Sequence, residues 1–68
     1  MEVDEQAAQL MEQALATADK PTKNSLIRRA AALYDQAVNE GRLTMRDAFR
    51  GKRDFIDRYL AAAALIRR

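Results

Sequence analysis

The 68-residue sequence contains no cysteine, no histidine and no tryptophan. Without cysteine the chain cannot form a disulfide, a thiolate metal site or a thiol nucleophile, which fits a reducing compartment such as the cytoplasm. Without histidine it lacks the commonest zinc ligand and the side chain that titrates near neutral pH. We therefore expect a cytoplasmic protein that is not an enzyme and uses no cofactor.

Long apolar runs and a strong net charge are also missing. The longest apolar run, residues 60–66, is much shorter than the roughly 20 residues that cross a bilayer, so we expect no membrane partner. The 12 basic residues are nearly balanced by 10 acidic ones, giving a formal net charge of +2, which weakens the case for nucleic acid. The acidic start, MEVDEQ, differs from the basic and then apolar layout of a secretory signal.

Two glycines and one proline divide a sequence that otherwise favours helix. Pro21 predicts the end of a first helix, Gly41 predicts the C-terminal cap of a second, and no run has the alternation of a strand. The predicted helices cover about residues 4–19, 23–40 and 44–66. Because the connections are short, we expect a single all-α domain over residues 1–68, folded as an up-down-up three-helix bundle.

Each predicted helix has candidate capping residues. Asp4 is the candidate N-cap of the first helix, and Thr22, Asn24 and Ser25 compete for that position in the second. Thr44, with Asp47 three residues later, resembles a capping box at the start of the third helix, and Leu43 and Ala48 are spaced for a hydrophobic staple. Arg67 and Arg68 fall at the negative end of the third helix dipole.

The third helix has an apolar face and a charged face at 100° per residue. The predicted core face consists of Met45, Ala48, Phe49, Phe55, Ile56, Tyr59, Leu60 and Ala63. The charged face contains three pairs at i,i+4 spacing, namely Arg50 with Asp54, Arg53 with Asp57, and Asp54 with Arg58. These pairs favour an ion-paired, solvated surface over a phosphate-binding one.

Lys52 falls in the middle of the apolar face, between Phe49 and Ile56. Burial of an unpaired ammonium group is costly, so the pattern leaves three interpretations. The aliphatic stem can pack against the aromatic residues while the amine reaches solvent. The helix can kink at Gly51, or this part of the face can remain uncovered so that Lys52 meets an anionic group of a partner.

Two other segments are candidates for binding. The segment YLAAAALI is apolar nearly all round, so Leu65 and Ile66 indicate either a self-association surface or an alanine-rich terminus whose exposed leucine has no role. Four basic residues near the start of the second helix could hold an anion or a phosphate, unless the acidic residues Glu12 and Asp19 neutralise them. These are Lys20, Lys23, Arg28 and Arg29.

The segment AAALYDQAV, Ala30 to Val38, resembles a helix of tetratricopeptide-like or microtubule-interacting-and-trafficking domains, in which small and aromatic residues recur at this spacing. The glycine, second-helix and proline positions of a tetratricopeptide unit are not evident, and the sequence has no second repeat. The resemblance covers nine residues, and we infer no function from it.

Taken together, these patterns lead us to expect a small helical regulator, adaptor or inhibitor that binds another protein or itself through the third helix. The candidate partner-binding residues are Phe49, Lys52, Arg53, Ile56, Leu65 and Ile66. The alternative is a small nucleic-acid-associated regulator, with Lys20, Lys23, Arg28, Arg29 and Lys52 as its phosphate contacts.

Overall fold

Three helices form the structure, which is a computed structural model describing residues 2–66. Helix α1 spans Val3–Ala16, α2 spans Lys20–Asn39 and α3 spans Met45–Ile66, and these residues contain no strand. Each helix packs against both of the others in a bundle that extends 40 Å along its long axis and 18 Å across. The predicted all-α three-helix bundle is therefore confirmed, whereas the predicted role of Arg67 and Arg68 lies outside the described residues.

The first connection begins earlier than predicted. Helix α1 ends at Ala16, and the N-cap of α2 is Asp19, whose carboxylate accepts hydrogen bonds from the backbone amide and the hydroxyl of Thr22. Asp19 thus takes the role that we had predicted for Thr22, Asn24 or Ser25. Pro21 lies in the first turn of α2, where an amide proton is not needed, so it begins this helix instead of ending the previous one.

The second connection follows the predicted chemistry. Gly41 has a φ of +74°, and two hydrogen bonds close the end of α2, from Gly41 N to Val38 O and from Arg42 N to Ala37 O. This is the Schellman arrangement, which requires the left-handed conformation that glycine adopts easily. Thr44, three residues after Gly41, caps α3 as predicted, since its hydroxyl oxygen accepts a hydrogen bond from Asp47 N at 3.1 Å.

The core is thin and contains many small side chains. Its buried members come from all three helices, and only two of them belong to α3. They are Val3, Ala7, Leu10, Ala14, Leu26, Ala30, Tyr34, Ala37, Ala48 and Phe55. The predicted core face of α3 was therefore too wide: Met45, Phe49, Ile56 and Leu60 are exposed, because two neighbouring helices cover only a narrow strip of a third.

The three helices meet around Tyr34. Its ring lies against the backbone of α3 at Gly51, and its hydroxyl donates a 2.6 Å hydrogen bond to the Asp4 carboxylate on α1. Burial, together with this hydrogen bond, raises the pKa of the Tyr34 phenol well above its ordinary value. Asp4 was wrongly predicted as the N-cap of α1. That position is held by Glu2, and Asp4 lies inside the helix.

Glycine at position 51 allows the close approach between α2 and α3. A Cβ atom added there would lie 2.9 Å from both Cδ1 and Cζ of Tyr34, and closer still to Cε1. The ring cannot easily move away, because Tyr34 is only 4% exposed and its hydroxyl is held by Asp4. Helix α3 continues through Gly51 without interruption, so the glycine serves packing between helices and does not break the helix.

We expect Gly51→Ala to destabilise the protein, although alanine is the better helix former. Overpacking costs about 1–3 kcal/mol, and the helix propensity of alanine recovers about 1 kcal/mol, so the net loss should be up to about 2 kcal/mol. Chemical denaturation measures the free energy of unfolding directly. The same substitution in a Tyr34→Leu background is the control, since the loss should largely disappear there; an equal loss in both backgrounds would contradict this packing.

Candidate interaction surface

Large exposed hydrophobic residues are confined to one helix. Within residues 2–66, every apolar side chain of this kind belongs to α3. Their exposed fractions are 78% for Met45, 66% for Phe49, 40% for Ile56, 59% for Leu60, 66% for Leu65 and 64% for Ile66. Scattered exposed leucines are ordinary in soluble proteins, whereas a set restricted to one helix is a candidate contact surface.

Four of these residues form a continuous line, which we call the α3 stripe: Met45, Phe49, Ile56 and Leu60, with Lys52 between the second and third. When Lys52 is counted, successive positions are three or four residues apart, the spacing that places side chains on one side of a helix and characterises helix-to-helix seams. At 1.5 Å per residue the stripe is about 22 Å long. It is therefore long enough to contact about four turns of a second helix.

Lys52 is held by a residue of its own chain. Its Nζ atom lies 2.8 Å from Asp35 Oδ1 on α2, and the Lys52 side chain is 35% exposed. The amine thus reaches the edge of the apolar surface, as expected for a snorkelling lysine, but it ends on a carboxylate instead of in open solvent. The kink at Gly51 is not needed to explain its position, because α3 is one continuous helix.

The charged face of α3 is less ion-paired than predicted. Of the three predicted pairs, only Arg58 with Asp54 forms within the described residues, at 3.7 Å between Nε and Oδ2. Arg53 is exposed and makes no ion pair with Asp57 in that part of the chain. By helical periodicity Arg53 lies beside the stripe, so it is available at the margin of the apolar surface.

Leu65 and Ile66 are both exposed, but they lie on different faces of α3. Leu65 is five residues after Leu60, which corresponds to a rotation of about 140° away from the stripe. Ile66 instead borders a groove of about 670 Å³ at the end of the bundle where α1 ends and α2 begins. We call this the distal groove, and it is lined by Leu15, Ala18, Lys20, Lys23, Asn24, Ile27, Tyr59, Leu60, Ala63, Ala64 and Ile66.

The predicted basic cluster is divided in the structure. Lys20 and Lys23 line the distal groove, whereas Arg28 and Arg29 border a neighbouring depression with Pro21 and Ser25, and Asn24 lies between the two. Within residues 2–66 none of the four forms an ion pair, so Glu12 and Asp19 do not neutralise them by direct contact. Lys52 is remote from Lys20 and Lys23, because its partner Asp35 is about 18 Å along α2 from Lys23.

Charge is distributed unevenly over the three helices. Helix α1 carries three acidic residues and no basic one, a net charge of −3. Helix α2 carries four basic residues and one acidic, a net charge of +3, and α3 carries five basic and three acidic, a net charge of +2. The exposed apolar residues therefore lie on a positively charged helix beside a second positively charged helix.

The described residues contain neither a candidate metal site nor a helix that could span a membrane. No group of three or more acidic side chains within residues 2–66 comes together in a way that could hold a metal ion. None of the three helices there is both long enough and apolar enough to cross a bilayer. The buried Tyr34 hydroxyl is engaged by Asp4, so it serves the packing of the helices.

Sequence reasoning missed Met45 and Leu60 as surface residues, and it missed the residues of the distal groove other than its lysines and Ile66. The exposure of Met45 and Leu60 could have been predicted, because the apolar arc of α3 is wider than two neighbouring helices can cover and has a lysine at its centre. No comparable signal predicted the groove, which depends on where α1 stops relative to the other two helices.

Comparison with known proteins adds no functional information. Protein-family models, curated proteins and solved structures were all compared with the chain, and none matches it.

We expect Lys52→Met to change the free energy of unfolding by less than about 1 kcal/mol, because exposed ion pairs contribute little and methionine retains the apolar stem. Asp35→Asn is the matched control, since it breaks the same pair without changing the α3 stripe. Urea denaturation of both variants measures the effect. A loss of more than about 2 kcal/mol in Lys52→Met, with Asp35→Asn unchanged, would contradict this assignment, since the surface pair could not account for it.

Proposed function

We propose that this protein is a non-enzymatic helical interaction module, a small regulator, adaptor or inhibitor that binds another protein or a second copy of itself through α3. The observation that carries this proposal is the restriction of all large exposed hydrophobic residues of the described chain to α3. Monomeric soluble proteins rarely expose large continuous apolar patches unless the surface has a partner.

The arrangement of the α3 stripe favours a helical partner. Its members recur every three or four residues, so a second helix could place its own side chains between them, as in the common helix-on-helix mode of peptide recognition. Phe49 and Ile56 at the centre of the stripe are the expected anchors, with Lys52 and Arg53 beside them. Phenylalanine and arginine are among the residue types enriched in protein interfaces, and arginine is frequent among the residues that contribute most of the binding energy.

The non-enzymatic character and the cytoplasmic location are part of the same proposal. The chain has neither cysteine nor histidine, which removes the side chains that most often act as nucleophile, general base or zinc ligand in small proteins. The absence of cysteine is compatible with a reducing compartment.

A nucleic-acid-associated role is the second candidate, and one observation favours it. Lys20, Lys23, Arg28 and Arg29 form no ion pair within the described residues, so their charge is available to phosphates. Their division between two surfaces and the distance to Lys52 count against a single phosphate-binding stripe. Binding of a duplex oligonucleotide that weakens steeply as salt rises would support this candidate.

Site-specific photo-crosslinking in the cells that naturally produce the protein tests the leading proposal. Benzoylphenylalanine in place of Phe49 should give adducts of defined mass on irradiation, because the α3 stripe is in contact with a partner. The same residue in place of Glu12, on the opposite, acidic helix, is the matched control and should give few adducts.

Adducts with twice the mass of the chain would identify self-association, and adducts of other masses would identify a separate partner. The absence of adducts at position 49, or equal yields at positions 49 and 12, would contradict an interaction role for α3.

A further inference from the structure

The distal groove has a distinctive chemical composition. Its lining contains apolar residues, a single asparagine and two lysines, and no acidic residue. Alanines at positions 18, 63 and 64 leave room that larger side chains would fill, while Leu15, Ile27, Leu60 and Ile66 provide apolar surface around it. A ligand that fits this lining must supply bulky apolar groups and negative charge together.

The two lysines of the groove have no carboxylate partner within residues 2–66. Lys20 is exposed and Lys23 is half-buried, and neither takes part in an ion pair there. Both lie in the first turn of α2, where the positive end of the helix dipole disfavours cations. The neighbouring carboxylate of Asp19 is already engaged with Thr22, so a carboxylate from outside the chain would relieve this unfavourable arrangement.

The distal groove is continuous with the α3 stripe. Leu60 belongs to both, and from there the stripe extends about 22 Å along α3 to Met45. A helix seated in the groove could therefore continue along α3 and cover the apolar residues that its own chain leaves exposed. A free amino acid or a single small ligand would leave most of that surface uncovered.

A second copy of this chain does not provide a suitable occupant. Among the described residues, its large exposed apolar side chains all lie on α3, beside Arg46, Lys52 and Arg53, and would bring positive charge towards Lys20 and Lys23. Its acidic helix, α1, has no large exposed hydrophobic residue among those described. No described segment of the chain combines exposed bulky apolar side chains with an excess of acidic residues.

We propose that the distal groove binds an amphipathic helix of another protein, one that carries large apolar side chains flanked by aspartate or glutamate. This inference rests on the interaction role proposed above and specifies its partner class. The apolar side chains of that helix occupy the space beside the alanines, its carboxylates pair with Lys20 and Lys23, and its remaining turns lie along the α3 stripe.

Selection from a displayed library of helical peptides, with all residue types allowed at the exposed positions, tests the proposal on the full-length chain. We expect enriched peptides to carry leucine, isoleucine or phenylalanine at three- and four-residue spacing, with several acidic residues beside them. The peptide enriched most strongly then serves as the fluorescent probe for anisotropy titrations. Amide chemical-shift changes in the labelled protein should include Ile27, Ala63 and Ala64.

Two double charge reversals on α2 distinguish binding in the distal groove from a general effect of net charge. The double substitution Lys20→Glu with Lys23→Glu should weaken probe binding by about tenfold or more, because it places like charges at the contact. The matched control is Arg28→Glu with Arg29→Glu, which changes net charge equally outside the groove and should weaken binding by less than about threefold. Circular dichroism and thermal unfolding confirm that both variants are folded.

Several results would overturn the proposal. They are the absence of any enriched peptide, enrichment of peptides without acidic residues, equal weakening by the two double substitutions, or a dimer whose dissociation on dilution shifts the amides of Ile27, Ala63 and Ala64. Stronger binding of a duplex oligonucleotide than of any peptide, with equal sensitivity to both substitutions, would favour the nucleic-acid role instead. If Phe49→Ala weakened peptide binding and Lys23→Glu did not, the proposed function would stand and only the assignment of the distal groove as the binding site would be lost.

Discussion

The contact between the Tyr34 ring and the backbone at Gly51 is the constraint on which the rest of the structure depends. It fixes which side of α3 faces α2, while the hydrogen bond from the same side chain to Asp4 joins α1 to the pair. With Gly51 turned towards Tyr34, the buried strip of α3 contains Ala48 and Phe55. Met45, Phe49, Ile56 and Leu60 are then directed away from the core, so one packing contact determines which apolar residues remain available to a partner.

Much of the fold could be predicted from the sequence because the residues that begin and end the helices act through local contacts. Gly41 and Thr44 acted as predicted, since a left-handed glycine and a capping hydroxyl depend only on neighbouring backbone. The prediction for Pro21 was wrong because proline is compatible both with the end of one helix and with the first turn of the next. The Asp19 side chain caps α2 ahead of Pro21 and so places the proline inside that helix. The contacts of Asp4, Tyr34 and Gly51 could not be predicted, since they join residues far apart in the sequence.

The candidate surface was predictable only in part, because side-chain periodicity is a local property whereas coverage by other helices is not. Periodicity placed Phe49, Lys52 and Ile56 on one face, but it could not determine how much of that face two neighbouring helices would cover. The pairing of Lys52 with Asp35 and the division of the basic cluster both depend on how the helices are placed next to each other. The resulting molecule has an acidic helix on one side and, on the other, an apolar surface on one basic helix beside a second, which is the basis for the acidic helical partner that we propose.

Exposure of the α3 stripe, which we attribute to the Tyr34 contact, can be measured with single cysteines because the chain has none of its own. Ala48 is 2% exposed and its neighbour Phe49 is 66% exposed, so Ala48→Cys and Phe49→Cys form an adjacent pair of probes. The rate of reaction with a thiol reagent should match that of the unfolded chain at position 49 and be slower by on the order of a hundredfold at position 48. Equal rates, or faster reaction at position 48, would show that α3 presents a different face and would contradict the account.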